Sequence, residues 1–288
     1  MPRIAYLGPE GTFTEAALLG MSTAGMLPVP DFEPLAAPSP SAALEMVRGG
    51  DASYACVPIE NSIEGSVLPT LDSLATGSEV RIFAEFTLDI AFTVAVKDGT
   101  AAPATIAAYP VARAQVAKWV GRNLPQARFQ AADSNAAAAV DVAEGRADAA
   151  VTTALATRRY GLSALASDIV DEPNARTRFV LVGPPAPPPG RTGADRTSVV
   201  LRLANVPGAL VSAMTEFAIR DIDLTRIESR PTRTELGTYI FFLDCAGHIE
   251  DDAVAEALDA LRRRCSDVRY LGSWPTGSAG STQLEVTP

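Results

Sequence analysis

The chain has 288 residues, 47% apolar and 20% charged, a globular balance with room for two domains. Its formal net charge of −10 argues against nucleic acid or an anionic membrane surface as the main partner. A single histidine, His248, and three widely spaced cysteines, Cys56, Cys245 and Cys265, speak against histidine triads, metal clusters and disulfide scaffolds, and fit a reducing cytoplasm.

Met1-Pro2-Arg3 leads directly into strand pattern without a signal-peptide core, and no apolar run approaches the ~20 residues of a membrane span. A soluble cytoplasmic chain is expected. Residues 4–7 read as a strand, 8–11 as a glycine turn and 12–19 as a helix capped by Thr12 or Thr14, whose free N–H groups make a ready anion site. The turn lacks the Gly-x-x-x-x-Gly-Lys spacing of a nucleotide phosphate loop. Residues 28–33 look strand-like, 39–47 helical with Ser39 or Ser41 as the cap, and 52–59 a buried strand. A polar loop over 60–66 follows, then a helix over 67–74. Polar residues thus gather twice at a strand end and a helix start, where open α/β sheets bind ligands. Asn61 offers donor and acceptor, Ser62 a hydroxyl, and Gly65 close backbone approach.

Residues 80–96 carry a long strand pattern, 110–120 and 134–144 are helical, 127–131 and 147–151 are strands, and 152–160 is a helix. Strands alternating with helices imply parallel sheets covered on both faces. Then comes Asp171-Glu-Pro-Asn-Ala-Arg-Thr-Arg-Phe-Val-Leu-Val182, a turn followed by Arg176, Thr177 and Arg178 at the mouth of a buried strand. Two guanidinium groups flanking a hydroxyl suit an anionic substrate, although a surface turn with solvated arginines has the same sequence. Gly183-Pro-Pro-Ala-Pro-Pro-Pro-Gly190 is a stiff extended linker that marks a domain boundary. Beyond it, strand 197–203, helix 208–219, strands 222–230 and 237–244, helix 251–263 and strand 268–272 give a βαββαβ order. His248 falls in a turn between two of these, and the glycine- and serine-rich residues from 276 onward are expected to be a disordered tail.

Tyr6-Leu-Gly-Pro-Glu-Gly-Thr-Phe-Thr-Glu-Ala-Ala17, Val57-Pro-Ile-Glu-Asn-Ser-Ile-Glu-Gly-Ser66 and Thr177-Arg-Phe179 are similar, in order and spacing, to the three signatures of the prephenate dehydratase family. The C-terminal unit resembles an ACT domain, a small amino-acid-sensing module, and Gly208-Ala209-Leu210-Val211 and Glu228-Ser229-Arg230-Pro231 are similar to this family's phenylalanine-binding motifs. Tyr109-Pro-Val-Ala-Arg-Ala-Gln115 departs from the family's His-Pro-Gln-Ala-like segment, so no role passes to Tyr109; Thr14 stands where serine is common.

The resemblance implies an α/β fold with a two-lobed catalytic domain of type II periplasmic-binding-protein kind over 1–184, its lobes roughly 1–80 with 160–184, and 81–159. A linker (185–195), an ACT regulatory domain (196–274) and a tail (275–288) would follow. It implies conversion of prephenate to phenylpyruvate, carbon dioxide and water, with no cofactor and no metal, and with Thr177 as the main catalytic residue. Gly11, Thr12, Asn61, Ser62, Gly65, Arg178 and Phe179 are the implied substrate contacts, Arg178 gripping a carboxylate and Phe179 packing beneath the cleft. Glu60 and Glu64 are candidate proton donors. Phenylalanine would regulate from the ACT motifs, within a homodimer or homotetramer. Two other readings stand: a solute-binding protein, which should carry an export signal, and a non-enzymatic amino-acid sensor, which leaves the Thr177 segment without a purpose. Arogenate dehydratase is a variant within the same class.

Overall fold

The computed structural model describes residues 1–232 and 238–277. The chain begins β1 (Arg3–Leu7), α1 (Phe13–Thr23), β2 (Glu33–Ala37), α2 (Pro40–Arg48), β3 (Tyr54–Asn61), β4 (Gly65–Ser66), α3 (Leu68–Ala75) and β5 (Arg81–Asp89). It then crosses to a second sheet through β6 (Phe92–Val96), β7 (Thr105–Ala108), α4 (Pro110–Gln115), α5 (Ala117–Asn123), β8 (Arg128–Ala131), α6 (Asn135–Ala143), β9 (Ala149–Thr152), α7 (Ala154–Arg159) and β10 (Ser163–Ile169). β11 (Arg176–Gly183) returns to the first sheet, whose order is β2-β1-β3-β11-β5, while the second runs β10-β6-β9-β7-β8. Two crossings between two α/β lobes, with the late strand inserted into the first sheet, is the arrangement of type II periplasmic binding proteins.

The crossings fall elsewhere than the sequence pattern suggests. The strand pattern over 80–96 divides at Ile90 and Ala91, leaving β5 in the first sheet beside β11 and β6 in the second. β10, expected with the first lobe, pairs with β6 in the second. Continuous apolar alternation reports burial but not which sheet a strand joins. The sheets are also mixed, since β11 runs antiparallel to both β3 and β5. The strand expected over 28–33 starts only at Glu33, because prolines at 28 and 30 cannot donate to a ladder.

The remaining elements are β12 (Asp195–Arg202), α8 (Ala209–Ala218), β13 (Leu224–Pro231), β14 (Tyr239–Ala246), α9 (Asp252–Arg264) and β15 (Asp267–Pro275), the expected βαββαβ unit. The predicted start of β14 at Gly237 lies outside the described residues, as do 278–288 of the predicted tail. Thr276, expected to be disordered, instead donates through its N–H to the Ala194 carbonyl at 2.8 Å, continuing the pairing of β15 with β12.

β11 is buried on both faces, and its alternation serves two cores. Phe179 and Leu181 join Tyr6, Leu18, Phe86 and Phe92 between the lobes. Val180 and Val182 join Val57, Ile59, Leu44, Leu71 and Leu74 of the first lobe and Val200, Phe242, Leu271 and Trp274 of the C-terminal sheet. The C-terminal unit is therefore not a bead on the proline linker; one face of its sheet completes the first lobe's core. Contact there is close enough that a Cβ on Gly272 would lie 2.3 Å from the Ile82 carbonyl oxygen. The other face packs on α8 and α9 through Leu201, Phe217, Leu243 and Leu258. His248 lies in a loop, as expected, but wholly buried: Nδ1 accepts from the Glu250 N–H and Nε2 donates to the Pro189 carbonyl at 2.9 Å, fastening the linker.

Candidate active site

Between the lobes lies a cavity of about 500 Å³, an ordinary size for a small-molecule site. Thr12, Phe13, Thr14, Pro58, Asn61, Thr177 and Phe179 line it from the first lobe, and Tyr109, Gln115, Asp133, Ser134 and Asn135 from the second. Ile90 and Phe92, at the crossing, also line it.

Thr177 sits at the start of β11 opposite Asn61 at the end of β3. One register step away the ladder slips, so that Arg178 faces Glu60 but Phe179 faces Pro58. Residues three apart on a regular strand point to opposite faces; this irregularity lets Pro58 and Asn61 both look into the cleft. Asn61 Oδ1 accepts from the N–H groups of Ile63 (2.8 Å) and Glu64 (3.0 Å). Those two bonds fix which end of the amide is oxygen. Nδ2 must then point at Thr177 Oγ1, 2.9 Å away. The Thr177 oxygen is thus an acceptor, and its own proton meets no acceptor among the described residues. A buried hydroxyl is held with its O–H free for whatever occupies the cavity.

Two helix N-termini open on the same space, one from each lobe. Thr12 caps α1, accepting from the Glu15 N–H while its hydroxyl donates to the Leu7 carbonyl at 2.9 Å. Ser134 caps α6 by accepting from the Ala137 N–H. The N–H groups of Phe13 and Thr14, and of Asn135 and Ala136, find no partner among the described residues. Beside them Gln115 Oε1 and Asn135 Oδ1 are buried and unpartnered. No arginine or lysine is among the lining residues, so positive potential in this cavity comes from helix ends.

Several sequence-based assignments change. Arg178 does not enter the cleft: strand alternation turns it to the opposite face, where it meets Glu60 (3.0 Å), Glu85 (3.2 Å) and Asp244 (2.8 Å). Glu60 faces Arg178 on that side, and Glu64 is exposed; neither lines the cavity, where Asp133 is the one carboxylate among the described residues. Gly11 gives its N–H to the Glu15 carboxylate and its carbonyl to the Thr153 hydroxyl, bracing the two lobes at φ +88°. A Cβ there would lie 2.8 Å from Ala156 Cβ, so only glycine fits. Ser62 accepts from the Arg176 N–H and donates to the Asn174 carbonyl, fastening the turn before Thr177, and Gly65 pairs opposite Asn61 with nothing near its Cα face. Thr12, Asn61, Thr177 and Phe179 line the cavity. Gln115, Ser134 and Asn135 were missed as cleft residues; Ser134 carried a signal, being a helix cap after a strand, the pattern already noticed twice upstream.

In the C-terminal domain Gly208, at φ +81°, initiates α8, and Ala209, Leu210 and Val211 form its first turn beside a cavity of about 350 Å³. β13 places alternate residues on one face: Arg226 pairs with Asp244 of neighbouring β14, while Glu228 reaches Ser66 at 3.1 Å and Arg230 reaches Asp72 at 2.9 Å in the first lobe. Ser229 and Pro231 are exposed. Among the described residues, none of Glu228, Ser229, Arg230 and Pro231 lines the cavity beside Gly208.

The fold and site define a two-lobed α/β enzyme with a small regulatory-type βαββαβ domain. Residues 4–187 match the prephenate dehydratase family and 197–263 the ACT domain. The chain is 70% identical to a prephenate dehydratase of Mycolicibacterium vanbaalenii over 96% of this chain and 92% of that one. The structure of an Arthrobacter aurescens prephenate dehydratase in complex with L-Phe is 40% identical and superposes with a TM-score of 0.87, covering 98% of this chain and 93% of that chain. A chain described as a novel type of quorum-quenching acylase, 28% identical, reaches a TM-score of 0.84 over 96% of this chain and 98% of its own. This chain belongs to the prephenate dehydratase family.

Proposed function

We propose that the interlobe cavity binds prephenate with its carboxylates toward the starts of α1 and α6, and that Thr177 assists loss of its ring hydroxyl. Residues 1–184 then serve as the catalytic domain and 196–274 as the regulatory one. Breaking the ring C–CO2 bond sends its electron pair through the diene to expel the hydroxyl at the far ring carbon. The products are phenylpyruvate, carbon dioxide and, once the departing oxygen takes a proton, water. Aromaticity drives the step, so the protein's tasks are to orient a dianion and ease the departure of hydroxide.

The observation that carries this reading is the Asn61 to Thr177 hydrogen bond, which occupies the threonine oxygen and leaves its proton for the departing hydroxyl. An aliphatic hydroxyl is a poor acid; its role is to hydrogen-bond and relay a proton, not to act as a tuned general acid. Helix ends and neutral amides suit a dianion in a protein of net charge −10, because they supply positive potential without a mobile cation. Thr177→Ala should lower kcat about a hundredfold or more with a much smaller change in KM, and Thr177→Ser should retain most activity. An unchanged kcat in the alanine variant would remove Thr177 from the mechanism. Running arogenate beside prephenate separates the two substrates, which differ only in the side chain carrying a keto or an amino group.

Phenylalanine is the effector this reading assigns to the ACT domain, supported by the L-Phe complex of the Arthrobacter relative. Its two motifs would form one site if a second copy docks along the exposed edge of β13; Ile227 and Tyr239 on β13 and β14, and Val211 on α8, are uncovered. A homodimer, alone or paired into a tetramer, is the assembly this implies. Light scattering on the purified chain, with Ile227→Asp as the disrupting variant, tests it.

A further inference from the structure

Three arginines and three carboxylates meet where the first lobe and the C-terminal domain join. Arg178 comes from β11, one residue after Thr177; Glu60 and Glu85 come from β3 and β5; Arg196, Arg226 and Asp244 come from the C-terminal sheet. Asp244, 1% exposed, is the node: Oδ2 accepts from Arg178 at 2.8 Å and from Arg226 Nε at 2.9 Å, and Oδ1 accepts from the Ser198 hydroxyl at 2.7 Å. Glu85 binds both Arg178 and Arg196. The charges balance, so each group needs the others.

Stability alone does not account for this cluster. A buried ion-pair network is weak evidence for stabilisation, because well-packed apolar residues are often as good or better. This one is also incompletely satisfied: Arg178 Nε, Arg196 Nε and Arg226 Nη1 are buried with no hydrogen-bond partner. Its location is more telling. Arg178 is the residue between Thr177 and Phe179, both of which line the cavity, and it sits at the register slip that lets Pro58 and Asn61 face that cavity together. Glu60, another Arg178 partner, pairs across the ladder with Ser66, whose hydroxyl donates to Glu228 of β13.

We propose that Asp244 of the C-terminal domain is a positioning residue for the reaction: by holding Arg178 from behind the sheet, it fixes β11 so that Thr177 stays aligned with Asn61 and the cavity. The same joint carries the effector response, since Arg226 ties β13 through Asp244 to Arg178, and Glu228 ties it to Ser66, behind Thr177. This second half rests on phenylalanine being the ACT ligand; the first half does not.

The test is Asp244→Asn in the full chain, which keeps the shape and removes the charge. Steady-state phenylpyruvate formation, thermal melting and calorimetric phenylalanine binding are measured on the same samples. The expected result is a fall in kcat of about tenfold or more with KM within about threefold, from protein that remains folded at the assay temperature. A purely structural role would lower the melting temperature and leave kcat of the folded enzyme at the wild-type value, and that result overturns the proposal. If Asp244→Asn alone does not fold, the charge-balanced Asp244→Asn/Arg226→Met variant takes its place: low kcat supports the positioning role and wild-type kcat overturns it. Wild-type protein that turns over prephenate but binds no phenylalanine would remove the effector reading and leave the kcat comparison intact. For the effector half, Ser66→Ala should bind phenylalanine as wild type does yet be inhibited less; inhibition equal to wild type removes this route.

Discussion

The chemistry of the cleft turns on which atom of Asn61 faces Thr177. Two backbone N–H groups hold Oδ1, so Nδ2 donates to the threonine. Asn61→Asp keeps the size but presents only acceptors, so it would take the Thr177 proton and put a negative charge beside a dianion. Its kcat/KM should fall about a hundredfold or more, and a variant within threefold of wild type would show that Thr177 needs no such donor. On the far side of the sheet the arginines Arg226 and Arg178 hold the buried Asp244 carboxyl far below the usual carboxylate range, against the opposing cost of burial. A depressed folded pKa means that the unfolded chain binds the proton first as pH falls. The stability from this group is therefore complete above about pH 4, the unfolded aspartate value, and is lost progressively below it. Urea unfolding from pH 7 to 3 should show wild type losing stability more steeply at the acid end than Asp244→Asn. Equal slopes would mean that Asp244 is not the charged anchor described. The cleft residues Thr177 and Asn61 were legible in sequence because local motifs place them. Arg178 was misread because its partner lies 66 residues further on and on the other face of the strand, which local sequence does not encode.

Among the elements, α6 tests whether helix ends replace cations in this cavity. Ser134 satisfies the Ala137 N–H and leaves the N–H groups of Asn135 and Ala136 open to the cleft. Ser134→Ala should cost about 1 kcal/mol of stability through loss of the cap. It should also raise KM for prephenate with a smaller change in kcat, because ground state and transition state both carry the carboxylate. A stability loss with KM unchanged would place the carboxylates elsewhere. Elements with strong local signals, such as α1 behind Thr12, α2 behind Ser39 and the alternating strands of the C-terminal unit, could be read directly from sequence. β7 and β10 could not. β7 has four residues, and β10 is an edge strand whose side chains are mostly exposed, so neither shows an apolar period against its surroundings.

At the scale of the molecule, the linker Gly183–Gly190 suggests two separable domains, but packing contradicts separability. Val57, Ile59, Val180 and Val182 of the first lobe share one core with Leu44 of α2, Leu71 and Leu74 of α3, and Val200, Phe242, Leu271 and Trp274 of the C-terminal sheet. Linker composition reports where the chain turns, not how much apolar surface the partners share. Ending the chain after residue 187 would remove Val200, Phe242, Leu271 and Trp274 from that core and uncover the apolar surface they share with the first lobe, of the kind that drives association. It would also leave Arg178 and Glu85 without Asp244 and Arg196, stranding charges that are now buried. The 1–187 fragment should therefore be largely insoluble, or melt far below the full chain without a cooperative transition. Soluble yield and a melting curve decide this. A soluble fragment that melts cooperatively at the full-chain temperature would mean that the first lobe's core is complete without the C-terminal sheet, and that the two domains only touch.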